Sequence, residues 1–347
     1  MKVNIRRIQI NVICSVIPGK QRRGRIRDSM RSRSSRKIVH VSLDDRNFTN
    51  NFSIDDKNIL TVLRSLGEFQ YMINPGNLGD CLIEVATYQF FDRYGLMSSI
   101  TEDENCGNIV YAGGAPWVED LYPEVCRKAL ATFEKAKKIV LLPSSVFNCP
   151  MLTDSLDSRY VVFCRERKTY EYLKKLDTGA EVYLDFDMAL RMDRSIFDFT
   201  FFSDDFYLDK VLRVQKKIDH IGKVACFFRE DAERRYHIGT DFDLSGAFAP
   251  DMTVDGCKFA TALMLSVVDQ FDVIVTDRLH VGIAAILMGK TVYLFDNSYG
   301  KLSSVYKHSF SGMRNVHLCS EQDWVQIKKI KEPVTGNLVN LLNCLMK

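Results

Sequence analysis

The stretch Asp272-Val-Ile-Val-Thr-Asp-Arg-Leu-His-Val-Gly-Ile-Ala-Ala-Ile-Leu-Met-Gly289 holds the fold in miniature. Val273–Val275 is short, apolar and β-branched, as a buried strand is, and Val281–Met288 is a longer apolar run that Gly289 would terminate as a helix. Between them lies the polar turn Thr276-Asp-Arg-Leu-His280. A buried strand that feeds a buried helix through a short polar turn is the unit from which parallel sheets are built.

The same pattern recurs outward from this unit, starting at Lys57. Strands are expected at Gln70–Ile73, Asn108–Tyr111, Lys138–Leu142, Tyr160–Phe163 and Glu181–Leu184, and again at Lys223–Phe228, Asp272–Val275 and Thr291–Phe295. Between Arg191 and Ile221 the alternation lapses into a charged, aromatic segment, which marks a boundary. The chain therefore reads as α/β, with two Rossmann-like lobes, parallel sheets and a cleft between them: an N-terminal domain over 38–212 and a C-terminal domain over 213–347. Ligands of such sheets gather beyond the carboxyl ends of the strands.

Composition agrees with a globular body: of 347 residues, 46% are apolar and 26% charged. Residues 1–37 hold twelve Lys or Arg against the single Asp28, a charge of +11; with the whole chain at +3, the other 310 residues carry −8. Gln21–Lys37 is rich in Arg and Ser and poor in apolar residues, so 1–37 is expected to be a disordered basic leader. No nucleic acid partner is expected. Apolar runs such as Val281–Met288 are far shorter than the roughly 18–20 residues that cross a bilayer. Ile8–Ile17 is broken by Gln9 and Asn11 and lacks a small-residue cleavage site, so export is not expected. The ten cysteines include no Cys-x-x-Cys pair, which suits reduced thiols in a cytoplasmic protein.

Six candidate elements fall at strand ends. Asn74-Pro-Gly-Asn-Leu-Gly-Asp80 precedes a helix: Gly76 and Gly79 permit a tight turn and close approach, Asn77 lies between them, and Asp80 suits a cap. The free N–H groups at such a helix start attract an anion. Ala112-Gly-Gly-Ala-Pro-Trp117 puts Gly113 and Gly114 where a ligand or a neighbouring loop can approach, and Trp117 where it can stack on a sugar or simply pack. Cys164-Arg-Glu-Arg-Lys-Thr169 places Arg165 toward the crevice and Arg167 and Lys168 toward solvent. Phe228-Arg-Glu-Asp-Ala-Glu233 brings Arg229, Asp231 and Glu233 to the cleft, either for sugar hydroxyls or for one another. Arg278 and His280 sit two apart at the mouth of a buried strand, and Asp296-Asn-Ser-Tyr-Gly-Lys301 places Lys301, with Asn297, beside His280.

Taken in order, these motifs resemble the polysaccharide pyruvyl transferase family over roughly Gln70 to His308. Gly76-Asn-Leu-Gly-Asp80 is similar to the family's first glycine-rich turn, and Ala112-Gly-Gly-Ala-Pro-Trp with Asp120-Leu-Tyr-Pro123 to its second. Arg165-Glu-Arg-Lys-Thr169 resembles its Arg-Asp-x-x-Ser element, Asp187-Met-Ala-Leu190 its Asp-Pro-Ala-Phe element, and Arg278-Leu-His280 with Asp296–Lys301 its C-terminal pair. Ala112, Glu166, Thr169 and Met188 depart from the family's commoner Gly, Asp, Ser and Pro.

The resemblance implies a fold like that of B-type glycosyltransferases, with phosphoenolpyruvate as donor, a saccharide hydroxyl pair as acceptor and a pyruvate ketal as product. Arg165, Arg278 and Lys301 would bind the nearly trianionic donor, and His280 with Arg278 would be catalytic. Gly76, Asn77, Gly79, Asp80, Gly113, Gly114, Trp117, Arg229, Asp231 and Asn297 would form loops and acceptor contacts. No metal and no cofactor are expected, phosphoenolpyruvate being a substrate. A nucleotide-sugar glycosyltransferase of the same fold, and a glycan-binding protein without chemistry, are the alternatives. The acceptor would be an exopolysaccharide, capsule or cell-wall precursor, lipid-linked or polymeric, at the inner membrane face, where the leader could touch anionic lipid. Removing residues 1–37 should then weaken sedimentation with vesicles containing anionic lipid; undiminished binding would remove that role.

Overall fold

A computed structural model of the chain describes residues 11–13, 37–42, 52–103, 105–193, 198–203 and 205–331, with side chains over 52–103, 105–193 and 210–329. Of the expected leader, only β1 (Asn11–Ile13) and Lys37 fall among the described residues. β1 pairs antiparallel with β2 (Lys37–Ser42).

The first lobe contains α1 (Lys57–Leu66), β3 (Gln70–Met72), α2 (Leu78–Arg93), β4 (Asn108–Tyr111), β5 (Gly114–Trp117), α3 (Pro123–Phe133) and β6 (Lys138–Val146). It continues with α4 (Pro150–Thr153), β7 (Tyr160–Cys164), α5 (Arg167–Lys175) and β8 (Glu181–Leu184). Its parallel sheet has the order β3-β4-β6-β7-β8, and β5 pairs with the far end of β6. Next come β9 (Asp198–Ser203), which pairs antiparallel with β2, and α6 (Asp205–Ile218). The second lobe comprises β10 (Val224–Phe227), α7 (Val254–Asp269), β11 (Val273–Thr276), α8 (Leu279–Leu287), β12 (Thr291–Phe295), α9 (Lys301–Val305), β13 (Val316–Cys319) and α10 (Glu321–Lys331). Its four strands run parallel in chain order.

The two expected parallel sheets are present, and Gly289, at φ +66°, closes the helix after β11 as expected. Three details differ. α6 runs unbroken through the boundary expected after residue 212. β6 continues through Pro143 to Val146, past Leu142 where the strand was expected to end; proline cannot donate to a ladder, and the pairing with β7 shifts register between Leu141 and Ser144, an irregularity that accommodates the ring. β1, β2, β5, β9 and β13 lie where no strand was expected, and β1 falls within the leader that was expected to be disordered.

α2 holds the lobes together. Leu78, Cys81, Leu82, Ile83, Val85, Ala86, Phe90 and Phe91 are all buried, so this helix is apolar on every side rather than along one stripe. One side faces its own sheet. The other packs on α7 and α8, so a single hydrophobic core runs from Ile59 and Phe69 through Met188–Leu190 to Ala260, Ile283 and Leu294. The Leu78 amide donates across the boundary to the Ser245 carbonyl at 3.1 Å, and the Ser304 hydroxyl donates to Glu166 at 2.7 Å.

Within α2 the buried Glu84 accepts the hydroxyl of Tyr71 on β3 at 2.6 Å. Burial, only partly opposed by that hydrogen bond, pushes its carboxyl from 4.5 up to about 8. The folded state thus prefers the protonated acid, and stability present below the unfolded value is lost as pH rises through the folded one. Glu84→Gln should flatten the decline between about pH 5 and 8, a gain of a few kcal/mol at alkaline pH by linkage. Urea unfolding at pH 6 and 9 reads this, and an equal decline in both proteins would contradict it.

Candidate active site

The cleft between the lobes narrows to a cavity of about 190 Å3 lined by Asn77, Asp80, Arg165, Arg229, Glu233, Arg278, His280 and Lys301, together with Asn74, Gly76, Tyr122 and Ser245. The four cations and the imidazole singled out in the sequence therefore share one space, although they come from both lobes.

Each is held by local structure. α2 starts with a reciprocal cap: the Asn77 side chain accepts from the Gly79 amide at 2.8 Å while Asp80 accepts from the Asn77 amide at 2.8 Å. Asp80 was expected to be the cap itself; it is the returning partner instead, because the helix begins at Leu78. Gly76 leaves the space that the Asp80 carboxylate fills, and a Cβ at Gly79 would stand 2.6 Å from His280 Nδ1 and 2.8 Å from its Cβ. The glycine is therefore a seat for the imidazole of the opposite lobe.

Arg165 is 1% exposed, donating from Nε to Ser145 at 2.8 Å and from Nη1 to Asp187 at 2.7 Å. Its turn is fixed by Glu166, which caps α5 through the Thr169 amide at 3.0 Å, while Arg167 and Lys168 are exposed as expected. Burial works to raise the Asp187 carboxyl, but Arg165 and His280 outweigh it and hold the group well below the usual carboxylate range. His280 Nε2 lies 3.4 Å from Asp187 Oδ2.

In the second lobe Arg278 is gripped from two sides, by Asp243 through Nε at 3.0 Å and Nη2, and by Asp231 through Nη1 at 2.8 Å. Burial would lower its pKa, yet Asp243 and Asp231 raise it, so the charge is permanent. Glu233 gathers donors from both lobes: Tyr122 at 2.5 Å, Asn297 at 2.9 Å, Lys301 at 3.0 Å, and Arg229. Against the effect of burial, Lys301 and Arg229 keep it ionised far below its ordinary range. Behind Arg229, whose amide donates to it at 2.7 Å, burial lifts Asp277 to about 6.

Several expected contacts lie elsewhere. Trp117 offers no face to a sugar: it is 0% exposed and packs against Tyr111 and Phe133, because β5 carries it inward against α3. Gly113 and Gly114 lie behind the wall, where the Gly113 carbonyl accepts from Asn74 Nδ2 at 2.8 Å; Ala115 and Pro116 face the cavity. Asn297 is buried and positions Glu233 and the Lys301 amide, and Asp231 serves Arg278 and Arg229 rather than the cavity wall. Sequence reasoning passed over Asp187, Asp243, Tyr122 and the central place of Glu233. Asp187 and Tyr122 lie in the quoted Asp187-Met-Ala-Leu190 and Asp120-Leu-Tyr-Pro123 elements and Glu233 was placed at the cleft, all without these roles; Asp243 carried no signal.

The chain belongs to the polysaccharide pyruvyl transferase family, whose model matches residues 59–299, more than half of its length. No curated protein matches it. The crystal structure of a functionally uncharacterised protein from Klebsiella pneumoniae subsp. pneumoniae NTUH-K2044 is similar, at 28% identity and a TM-score of 0.60, over 76% of this chain and 96% of that one. Among the described residues no helix is long and apolar enough to cross a membrane, and no group of three or more His, Cys, Asp or Glu side chains could hold a metal ion.

The Gly79 seat makes a prediction. Gly79→Ala forces a methyl group onto His280, an overpacking that costs about 1–3 kcal/mol. It should lower the melting temperature by several degrees and the transfer rate at least tenfold; a variant with native values of both would show that the contact is slack.

Proposed function

We propose that the protein transfers the pyruvyl group of phosphoenolpyruvate onto two hydroxyls of one saccharide, forming a ketal and releasing phosphate. The single observation that carries this reading is the convergence of Arg165, Arg229, Arg278 and Lys301, from both lobes, on one cavity that also holds His280. A small ligand of about three negative charges needs such a cluster, each close cation contributing up to ~4 kcal/mol before desolvation at an effective dielectric near 20. Arg229 Nε is buried and has no acceptor among the described residues, so a ligand oxygen would complete it. Because carboxylates already fix the guanidinium planes, the ligand meets oriented donors and pays little to arrange them.

The chemistry follows from the atoms. The methylene carbon takes a proton, a sugar hydroxyl adds to the neighbouring carbon, and the carbon–oxygen bond to phosphate breaks. The second hydroxyl then closes the ketal. Two protons leave the hydroxyls, one replacing that taken by the methylene and one leaving with phosphate. His280 is the proton carrier, a role worth about 10²–10⁴-fold. Arg278, Arg165 and Lys301 stabilise the departing phosphate, which needs no obligatory metal. Asp80, Glu233 and the unpartnered carbonyl oxygen of the Asn74 side chain suit sugar hydroxyls, which donate to such acceptors. The acceptor class is an exopolysaccharide, capsule or cell-wall precursor handled in the cytoplasm.

Incubation with phosphoenolpyruvate and candidate glycans should release phosphate and add the mass of pyruvate less water to one glycan. His280→Ala should cut this by about 10²–10⁴-fold while leaving the melting temperature in place. Release of nucleoside diphosphate from a nucleotide sugar, with phosphoenolpyruvate untouched, would replace this reading with a glycosyltransferase.

A further inference from the structure

We propose that Asp187 is a positioning residue: from the first lobe it fixes the tautomer and orientation of His280 on the second, with Arg165 acting as the clamp that keeps the carboxylate in place. The catalytic consequence rests on the pyruvyl-transfer reading; the consequence for the imidazole does not.

Asp187 is fully buried, and its oxygens are divided. Oδ1 accepts the Ala189 amide at 2.9 Å, while Oδ2 is shared by Arg165 Nη1 at 2.7 Å and His280 Nε2 at 3.4 Å. A buried carboxylate is costly unless it is paired, and Arg165 supplies the pair. Nε and Nη1 of Arg165 are committed, to Ser145 and Asp187, so the side chain that lends its charge to the cavity also holds this acid in place. His280 Nε2 is buried and makes no hydrogen bond of normal length, with Asp187 in front of it. A ring nitrogen facing an ionised carboxylate keeps its proton, so Nε2 is the N–H nitrogen of the neutral ring. The lone pair is then on Nδ1, which lies against Gly79 at the start of α2, in a residue that lines the cavity. At 3.4 Å the contact is loose, as catalytic hydrogen bonds often are before a ligand closes them.

The arrangement has the logic of an orienting carboxylate behind a catalytic imidazole. Its particular feature is that the two partners belong to different lobes: Asp187 follows β8, and His280 lies in the first turn of α8. The other charged groups that line the same cavity are Asp80, Arg165, Arg229, Glu233, Arg278 and Lys301; Arg278 is already engaged by Asp231 and Asp243, and Arg229 and Lys301 by Glu233.

Two measurements test this. The first is nitrogen-15 NMR of the histidine rings, six in the chain, with the His280 signals assigned by their loss in His280→Ala. The native protein should show the Nε2-protonated form of His280, and Asp187→Asn should shift the population toward Nδ1–H; an unchanged tautomer overturns the proposal even if phosphoenolpyruvate proves not to be the donor. The second is a double-mutant cycle on transfer. Asp187→Asn should lower kcat by about 10²–10³-fold with KM for phosphoenolpyruvate changed less than about threefold, and should cost almost nothing further in His280→Ala. Losses that multiply would mean that Asp187 does not act through His280. If Asp187→Asn fails to fold, Asp187→Glu replaces it: the charge is kept and displaced, so the Nε2–H tautomer should persist while kcat falls. A native kcat in that variant would also overturn the proposal.

Discussion

Burial of α2 on all its sides is the constraint on which the active cavity depends. A helix with one apolar stripe would cover its own sheet and leave the second lobe free to swing. Here Cys81, Val85 and their neighbours continue into the interior formed by α7 and α8, so the lobes share one core. The start of α2 is thereby pinned beside Arg278 and His280, with the Leu78 amide tied to the Ser245 carbonyl. Four cations from distant parts of the chain can be brought near one another only because this packing leaves the lobes a fixed separation.

Charge balance is the second theme. Every cation of the cavity wall has at least one carboxylate partner, and Arg229 and Arg278 have two each. These acids offset the desolvation that four buried cations would otherwise suffer. They also hold each guanidinium plane at a set angle, which a lysine, as a point charge, could not reproduce for Arg165 or Arg278. Such a cavity recognises an anion by the directions of its oxygens more than by raw potential.

Much of this was legible in the sequence because buried parallel strands announce themselves. The runs around Val140, Val162 and Val275 are apolar on both faces, and the polar turns after them fall at one end of each sheet, where ligands gather. Arg165, Arg278, His280 and Lys301 could be read for that reason. Their partners could not. Asp243 lies in an irregular loop far along the chain from Arg278, and nothing periodic marks it. Trp117 was left open between stacking on a sugar and packing, because a tryptophan after two glycines allows an open loop; Gly114 begins a short strand that carries the ring inward, and packing is the outcome. Pro143 hid the far half of β6, since a bulge that rescues a proline leaves no trace in local composition.

The Tyr122–Glu233 hydrogen bond has a bearing on how such proteins diversify. It joins the start of α3 to the second lobe, and the contact of Asp187 with His280 joins the same two lobes a second time. Neither half is thus a self-sufficient cassette. A hybrid that grafts one half onto a relative's other half would inherit a donor without its acceptor at two seams, so new sugar preferences are more readily gained by editing loops at the cavity mouth than by exchanging whole halves.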